Sequence, residues 1–579
     1  MNVLLISPHL SPVDFEHHGR LEFPRSLAVL ASALRFAGHD AAILDMPALD
    51  LWAPNLPAIL RDRRPELVGL PVHGSPAMPI AARHFRYIKE ALPGVPVVVG
   101  GLVPSILGTE LFKTLPEPDF LVLNDGEQTL VELADALENG ADLRGIPGLI
   151  SRIGDRLFEG PQRPLARELD RFGMPSYDLL PMDRYREEGA PVWLETKRGC
   201  PYRCRFCSVN TPSSYGVVRF RNPETCVDEI EHVVKRYGIT SFAIADDTFN
   251  LKQRYANRFC DEILRRGLRI RWNIDTRADC LTRDGLDLMC RAGCQNVMMG
   301  VEVGSEEGLL SIQKGVTRQR LVEAFHMVRA AGMRPTALLI TGLPGVNHVD
   351  FAETARFIQE ADPFLCNIFV FHPIPGADYF HRPDTYGLNF AINKVDDWRK
   401  LHYFTEPICN TQQLTRREII EHYVQLNYAS RSYFDKTARP EALEFIARGP
   451  YPRMREQVVP VKVATDYIYY LPDGPTSKDA YNVYANVFQM TRFQYEVLLF
   501  CNGQHSLDEI VDRISRLFGL EPNTARKLVL HNLERFTERR ILDPSWERPP
   551  DSQPKGIPEV AIGPAHIVSD RLTNGGAMS

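Results

Sequence analysis

Cys200, Cys204 and Cys207 lie in the segment ETKRGCPYRCRFCSVN at the spacing C-x3-C-x2-C. Thiols this close are costly to hold as thiolates unless a metal neutralises them. Structural zinc takes four protein ligands, and no fourth Cys or His lies nearby in the sequence. A four-iron cluster on three thiolates instead leaves one iron open to a substrate-like ligand. The spacing favours the cluster, with zinc as the alternative. Cys290 and Cys294, in LMCRAGCQNV, form a second close pair. They straddle a helix end capped at Gly293, have no third ligand nearby, and read as packing residues.

The cysteine loop follows a strand, VWLETK, the first of a series. SFAIADD, IRWNIDT, NVMMGVEVG, TALLITGLPG and NIFVFHPIPG continue it. The helical stretches between them end at Gly238, Gly267, Gly293 and Gly332, glycine being the common residue just past a last helical turn. Six strands with right-handed crossovers predict a partial (β/α)6 barrel over residues 191–399, with its site at the carboxyl ends of the strands. Upstream, NVLLISP, AAILDMP, ELVGLPV, VPVVVGG and DFLVLN alternate with helical patterns. Continuous apolar strands separated by helices predict an α/β, doubly wound, Rossmann-like domain over residues 1–143. A proline- and arginine-rich stretch, residues 144–190, reads as an ordered linker. Residues 400–460 read as a helical connection. Residues 461–543 read as a small winged-helix-like domain, with strands in DYIYYLPDG and NVYANVF and then three helical patterns. Residues 544–579 read as a disordered tail.

The chain has 579 residues, enough for several cores, and a net charge of only −6. That balance offers no concentrated basic face for nucleic acid. No apolar run is long enough to span a membrane. MNVLLISPHL lacks the flanks of a signal peptide and reads as a buried strand. The 11 cysteines are scattered and odd in number, which suits reduced thiols in a cytoplasm rather than a disulfide scaffold.

The cysteine loop and the strand ends after it resemble the radical SAM superfamily, over roughly Pro191 to Gly376. The resemblance implies a 4Fe–4S cluster on the three cysteines and S-adenosylmethionine (SAM) on the open iron. Reductive cleavage of SAM would then give a 5′-deoxyadenosyl radical. It places Phe206 near the adenine, and puts Asp246 and Asp247, in ADDTFN, at the SAM amino group. Arg277, in DTRADC, is offered to a carboxylate. Glu302 and Ser305, in GVEVGS, fall at the ribose or methionine end. Gly342 and Gly345, in GLPG, would let backbone approach the adenine. The family often has an acidic residue soon after GLPG; here Asp350 comes later.

A doubly wound domain ahead of such a barrel resembles the cobalamin-binding radical SAM class. GLPVHGSP, VVVGGLVPS and NDGEQTLVELADAL carry the likeness. It implies cobalamin near Gly100 and Gly101, with its nucleotide tail at Gly126 and Glu127, where a helix opens, and with His73 below the corrin. The Asp-x-His-x-x-Gly motif is absent, and HHGR near Asp14 has the wrong spacing. FQYEVLLFCNGQHSLDEIVDRI resembles the precursor-recognition element of enzymes that modify ribosomal peptides. The leading expectation is therefore methyl transfer from methylcobalamin to an unactivated carbon of a small molecule or precursor peptide, with an electron donor of flavodoxin or ferredoxin type. A radical cyclase or ring-rearranging enzyme is the alternative within the class. A catalytically silent binding partner in a biosynthetic complex is the alternative outside it.

Overall fold

The computed structural model describes residues 1–8, 21–209, 216–401, 407–432, 438–440, 443–444, 459–463, 466–470, 487–490, 494, 496–497 and 507–538. The segment around Asp14, the first C-terminal helical pattern, Cys501, Ser506 and the tail from residue 544 lie outside them or nearly so. Among the described residues no helix is long and apolar enough to cross a membrane.

The chain divides into two units. The first comprises Met1–Val301, Leu309–Leu338 and His372–His402. The second comprises Glu302–Gly308, Leu339–Phe371 and the described residues within Tyr403–Ser579.

The first unit opens on strands β1 (Asn2–Ser7), β2 (Asp40–Asp45), β3 (Leu67–Pro71), β4 (Val97–Gly100) and β5 (Phe120–Val122), all parallel, in the order β2-β1-β3-β4-β5. Apolar runs such as Val3–Ile6 are buried because helices cover both faces. Helix α1 (Arg25–Phe36) follows β1, and α2 (Gly126–Asn139) follows β5. The sheet then continues into the stretch read as a linker. β6 (Leu149–Ile153) and β7 (Arg156–Glu159) form a hairpin that adds two antiparallel strands beside β5. Its turn is Gly154-Asp155, with Gly154 at φ +59°. Glycine followed by aspartate between short alternating strands is a hairpin signal. Arg156 and Glu159 on the outermost strand leave a charged edge.

The barrel strands form where the sequence places them: β8 (Val192–Leu194), β11 (Ser241–Ile244), β12 (Arg271–Thr276), β13 (Cys294–Glu302), β14 (Arg334–Thr341) and β15 (Leu365–Val370). Their order is β15-β14-β13-β12-β11-β8. Between β8 and β11 a two-stranded ribbon pairs β9 (Lys197–Arg198) with β10 (Arg219–Phe220). Helix α3 (Pro223–Tyr237) starts on Asn222, whose side chain accepts from the Glu224 N–H at 2.9 Å, and has proline at its first position. It stops at Gly238, at φ +69°.

In the second unit, Asn347 and Asp350 form a capping box on α4 (His348–Ala361), and Thr415 and Glu418 form one on α5 (Arg416–Ala429). Every residue of α5 from Ile419 to Ala429 is buried. The C-terminal part has three antiparallel strands, β16 (Val459–Val463), β17 (Asp466–Tyr470) and β18 (Val487–Met490), in that order. Helices Leu507–Phe518 and Pro522–Glu538 follow. The sequence reading expected two strands; β16 is the third.

Candidate active site

The cysteine loop closes at its neck. β9 and β10 pair Arg198 with Arg219 and Lys197 with Phe220. Gly199 turns the chain away at φ +87°, where a Cβ would sit 2.0 Å from the Val217 carbonyl oxygen. Only glycine fits there. Beyond it, Cys200 is buried and Cys204 and Cys207 are partly exposed, none of the three in a disulfide. The Cys207 N–H donates to the Cys204 carbonyl at 3.2 Å. The Cys207 thiol is pushed up to about 12, first by burial and then by Cys204, Asp247 and Cys200 around it. A thiol whose ionisation is opposed by burial and by other anions is one that a bound cationic centre would release. The donor set therefore fits an iron–sulfur cluster.

The barrel braces this loop from the segments that follow β12 and β13. Arg205 donates to the Ser311 carbonyl at 2.7 Å, and its N–H donates to the Ile312 carbonyl at 3.1 Å. The Lys314 ammonium lies 5.5 Å from the centre of the Phe206 ring. Arg277 stacks on Tyr202 at 3.6 Å. Its guanidinium also donates to Asp279 at 3.0 and 3.2 Å, to the Lys314 carbonyl at 2.6 Å and to the Cys204 sulfur at 3.8 Å.

Several side chains expected to face SAM are instead engaged within the chain. Arg277 is one, its donors taken up as above. Asp246 is another: it is buried and accepts the N–H groups of Thr196 at 2.9 Å and Lys197 at 3.2 Å, as well as the Thr196 hydroxyl. It ties the end of β11 to the turn from β8 into β9, and burial pushes its carboxyl up to about 6. Asp247, its exposed neighbour, is the member of the pair close to Cys207. Ser305, in the second unit, donates to Asp350 at 2.5 Å and accepts from the Gly308 N–H at 3.1 Å. Asp350 thereby binds the turn after β13 to the start of α4. Gly342, at φ +81°, owes its small size to packing, since a Cβ would sit 2.6 Å from Ile419. Gly345, at φ +86°, donates its N–H to Gln413 at 2.9 Å. Glu302 keeps a left-handed backbone, φ +67°, while buried. For a non-glycine residue that strain is of order 1–3 kcal/mol and concentrates at functional sites.

Asp275 and Asn273 were missed. They alternate on β12 with buried Trp272, Ile274 and Thr276, and so share the face away from the helices. Asp275 is pushed up to about 7, first by burial and then by Asp247 and Asp246. Its Oδ1 has no partner, nor has the Asn273 Oδ1. The period-two alternation in RWNIDT was the available signal.

On the first sheet, His73 follows β3, and Gly100 and Gly101 end β4. The His73 Nε2 lies 3.1 Å from the Ser26 hydroxyl. Gly101, at φ +111°, passes so close that a Cβ would sit 2.7 Å from the Val72 carbonyl and 3.2 Å from the His73 Nδ1. Gly126 opens α2 against Leu30, where a Cβ would sit 3.4 Å away. Glu127 is buried and accepts from Arg198 at 2.6 Å, so its side chain is committed to the cysteine loop. His73, Gly100, Gly101, Gly126 and Glu127 thus share the carboxyl edge of one sheet, where open α/β sheets receive ligands.

The family model described as radical SAM superfamily matches residues 194–358, and that described as B12 binding domain matches residues 16–134. An uncharacterized methyltransferase of Pyrococcus horikoshii is 30% identical over 442 residues, which cover 75% of this chain and 95% of that protein. The anaerobic magnesium-protoporphyrin IX monomethyl ester cyclase of Rubrivivax gelatinosus is 27% identical, covering 74% of this chain and 77% of that one. The solved structure of the cobalamin-dependent SAM radical enzyme OxsB, with aqua-cobalamin and SAM bound, superposes with a TM-score of 0.61 at 15% identity. It covers 94% of this chain and 82% of that one, a likeness of fold. The chain belongs to the cobalamin-dependent enzymes of the radical SAM superfamily, and its cofactors are a 4Fe–4S cluster, SAM and cobalamin.

Proposed function

We propose that this enzyme is a C-methyltransferase acting on an unactivated carbon of a natural product, most simply a ribosomal precursor peptide. The observation that carries the reading is the three-thiol loop clamped at its neck to the B12-type domain through Arg198, Asp125 and Glu127. When bound, the cluster with SAM supplies a carbon-centred radical and cobalamin supplies a methyl group.

The chain contributes positions and charges. Cys200, Cys204 and Cys207 hold the cluster as thiolates. Phe206 borders the adenine, and Asp247 receives the ammonium of SAM in place of the engaged Asp246. Arg277, with a donor on the Cys204 sulfur, balances thiolate charge. Glu302, with its left-handed backbone, and Gly345 contact SAM, while Ser305 and Gly342 act through packing. His73 covers the lower face of the corrin, Gly100 and Gly101 admit it, and the opening turn of α2 at Gly126 and Glu127 offers backbone N–H groups to its tail. The first sheet, extended past residue 143 by β6 and β7, forms the cobalamin domain, and residues 191–399 form the radical SAM barrel. A flavodoxin- or ferredoxin-type protein delivers the electron.

The C-terminal unit recognises a leader peptide by strand addition. β17, which carries DYIYY, lies between β16 and β18 and has no free edge. The leader therefore pairs with β18. The cyclase among the relatives supports ring formation as the second reading.

Product accounting separates the two. With substrate, methyl transfer releases S-adenosylhomocysteine and 5′-deoxyadenosine in equal amounts, whereas ring formation releases deoxyadenosine alone. Deleting residues 459–543 is expected to lower peptide turnover at least tenfold while leaving substrate-free SAM cleavage within twofold. Full turnover of the true substrate by the truncated enzyme would reject peptide recognition by this unit.

A further inference from the structure

The neck of the cysteine loop places two arginines opposite each other, Arg198 on β9 and Arg219 on β10. Like charges at directly opposed positions destabilise a strand pair. One carboxylate from the first domain resolves the conflict. Asp125, the residue before α2, accepts from Arg198 at 3.0 Å and from Arg219 at 3.2 Å, with a second, shorter bond to Arg219. Glu127 and Glu195 take the remaining donors of Arg198. The Asp125 side chain is only 12% exposed. Burial opposes its ionisation, but the two guanidinium groups outweigh that and hold its carboxyl below the usual range.

Asp125 is also tied back into the first sheet. The N–H of Asn124, itself left-handed at φ +59°, donates to the Ser105 hydroxyl at 2.8 Å, and that hydroxyl donates to the Gly101 carbonyl at 2.7 Å. A second contact lies farther along the loop. A Cβ on Gly376 would sit 2.7 Å from Ile106, on the helix after Gly101, and 3.1 Å from Ser208, which follows Cys207. The end of the first sheet that carries Gly101 therefore holds the cysteine loop at its neck, and Gly376 bridges that end to the residue after Cys207.

We propose that Asp125 is a positioning residue: by gripping Arg198 and Arg219 together it fixes the cluster loop against the cobalamin-side edge of the first sheet, and so sets the separation of cluster and cobalt needed for methyl transfer. This rests on the function proposed above.

The test uses the full-length, anaerobically loaded enzyme and Asp125→Asn, which keeps the shape but removes the charge. Iron and cobalamin contents and substrate-free deoxyadenosine formation are expected to stay within twofold of wild type. Methyl transfer per deoxyadenosine is expected to fall at least tenfold. The magnetic interaction between reduced cluster and cob(II)alamin, read by pulsed electron paramagnetic resonance, is expected to broaden. Asp125→Glu should restore a narrow signal. Arg219→Gln, which leaves the Arg198 pair in place, provides a second route and should give an intermediate broadening. Unchanged interaction and unchanged coupling in both neutral variants would overturn the proposal. So would a loss of bound iron in both, which would make the contact a matter of loop folding alone. A wild-type enzyme that binds no cobalamin would instead reject the underlying function, and the proposal with it.

Discussion

Replacing Cys200, Cys204 and Cys207 together with alanine abolishes formation of 5′-deoxyadenosine from SAM. The three thiols share one loop, and the other described cysteines are not in it. Cys226, Cys260 and Cys366 are buried, with thiols pushed up to about 12 chiefly by burial, and are not available as substitute thiolates. Without the cluster there is no electron path to SAM, so the expected loss is complete. The check is deoxyadenosine measured by chromatography after cluster reconstitution. Turnover surviving in the triple variant would remove the ligand assignment.

Glu229→Ala should give the largest loss of stability. Glu229 on α3 is 1% exposed and lies between Arg25 of the first domain and Arg221 beside β10. The Arg221 guanidinium donates to it at 2.8 Å, and the Tyr177 hydroxyl donates to it as well. Its carboxyl is pulled down to about 2, because the two guanidinium groups outweigh a burial that acts the other way. Removing it leaves two buried cations facing each other, and breaking a buried pair in this way costs about 3–5 kcal/mol. The readout is the midpoint of the first urea transition. The sign with pH follows from the depressed value. The stabilisation is complete above the unfolded carboxylate's ordinary value of about 4.3 and is lost as pH falls through about 2. The variant should lack that acid-side dependence. A midpoint within ~0.5 kcal/mol of wild type, the range of ordinary surface substitutions, would show that the network contributes little.

The fold was legible where one strong local pattern decided it. Continuous apolar runs marked all five parallel strands of the first sheet and all six of the barrel, and the helix-ending glycines at 238, 267, 293 and 332 do take positive φ. The β6–β7 hairpin was hidden because proline and arginine around it outweighed the short alternation of LISRI and RLFE. At the site, residue types and their order along strand ends were readable, but the use of each side chain was not. Asp246, Arg277 and Ser305 are spent on Thr196, Asp279 and Asp350, partners set by tertiary packing. The Arg198–Asp125–Arg219 clamp joins positions 73 and 94 residues apart, which no local pattern reports.

The most direct test of the central claim needs no substrate. Anaerobically purified full-length enzyme, loaded with cobalamin and reduced, is given SAM labelled with carbon-13 in its methyl group. The account predicts that label moves to the bound cobalamin with release of S-adenosylhomocysteine, while the same preparation also forms 5′-deoxyadenosine. An enzyme that forms deoxyadenosine but binds no cobalamin and moves no label would contradict it.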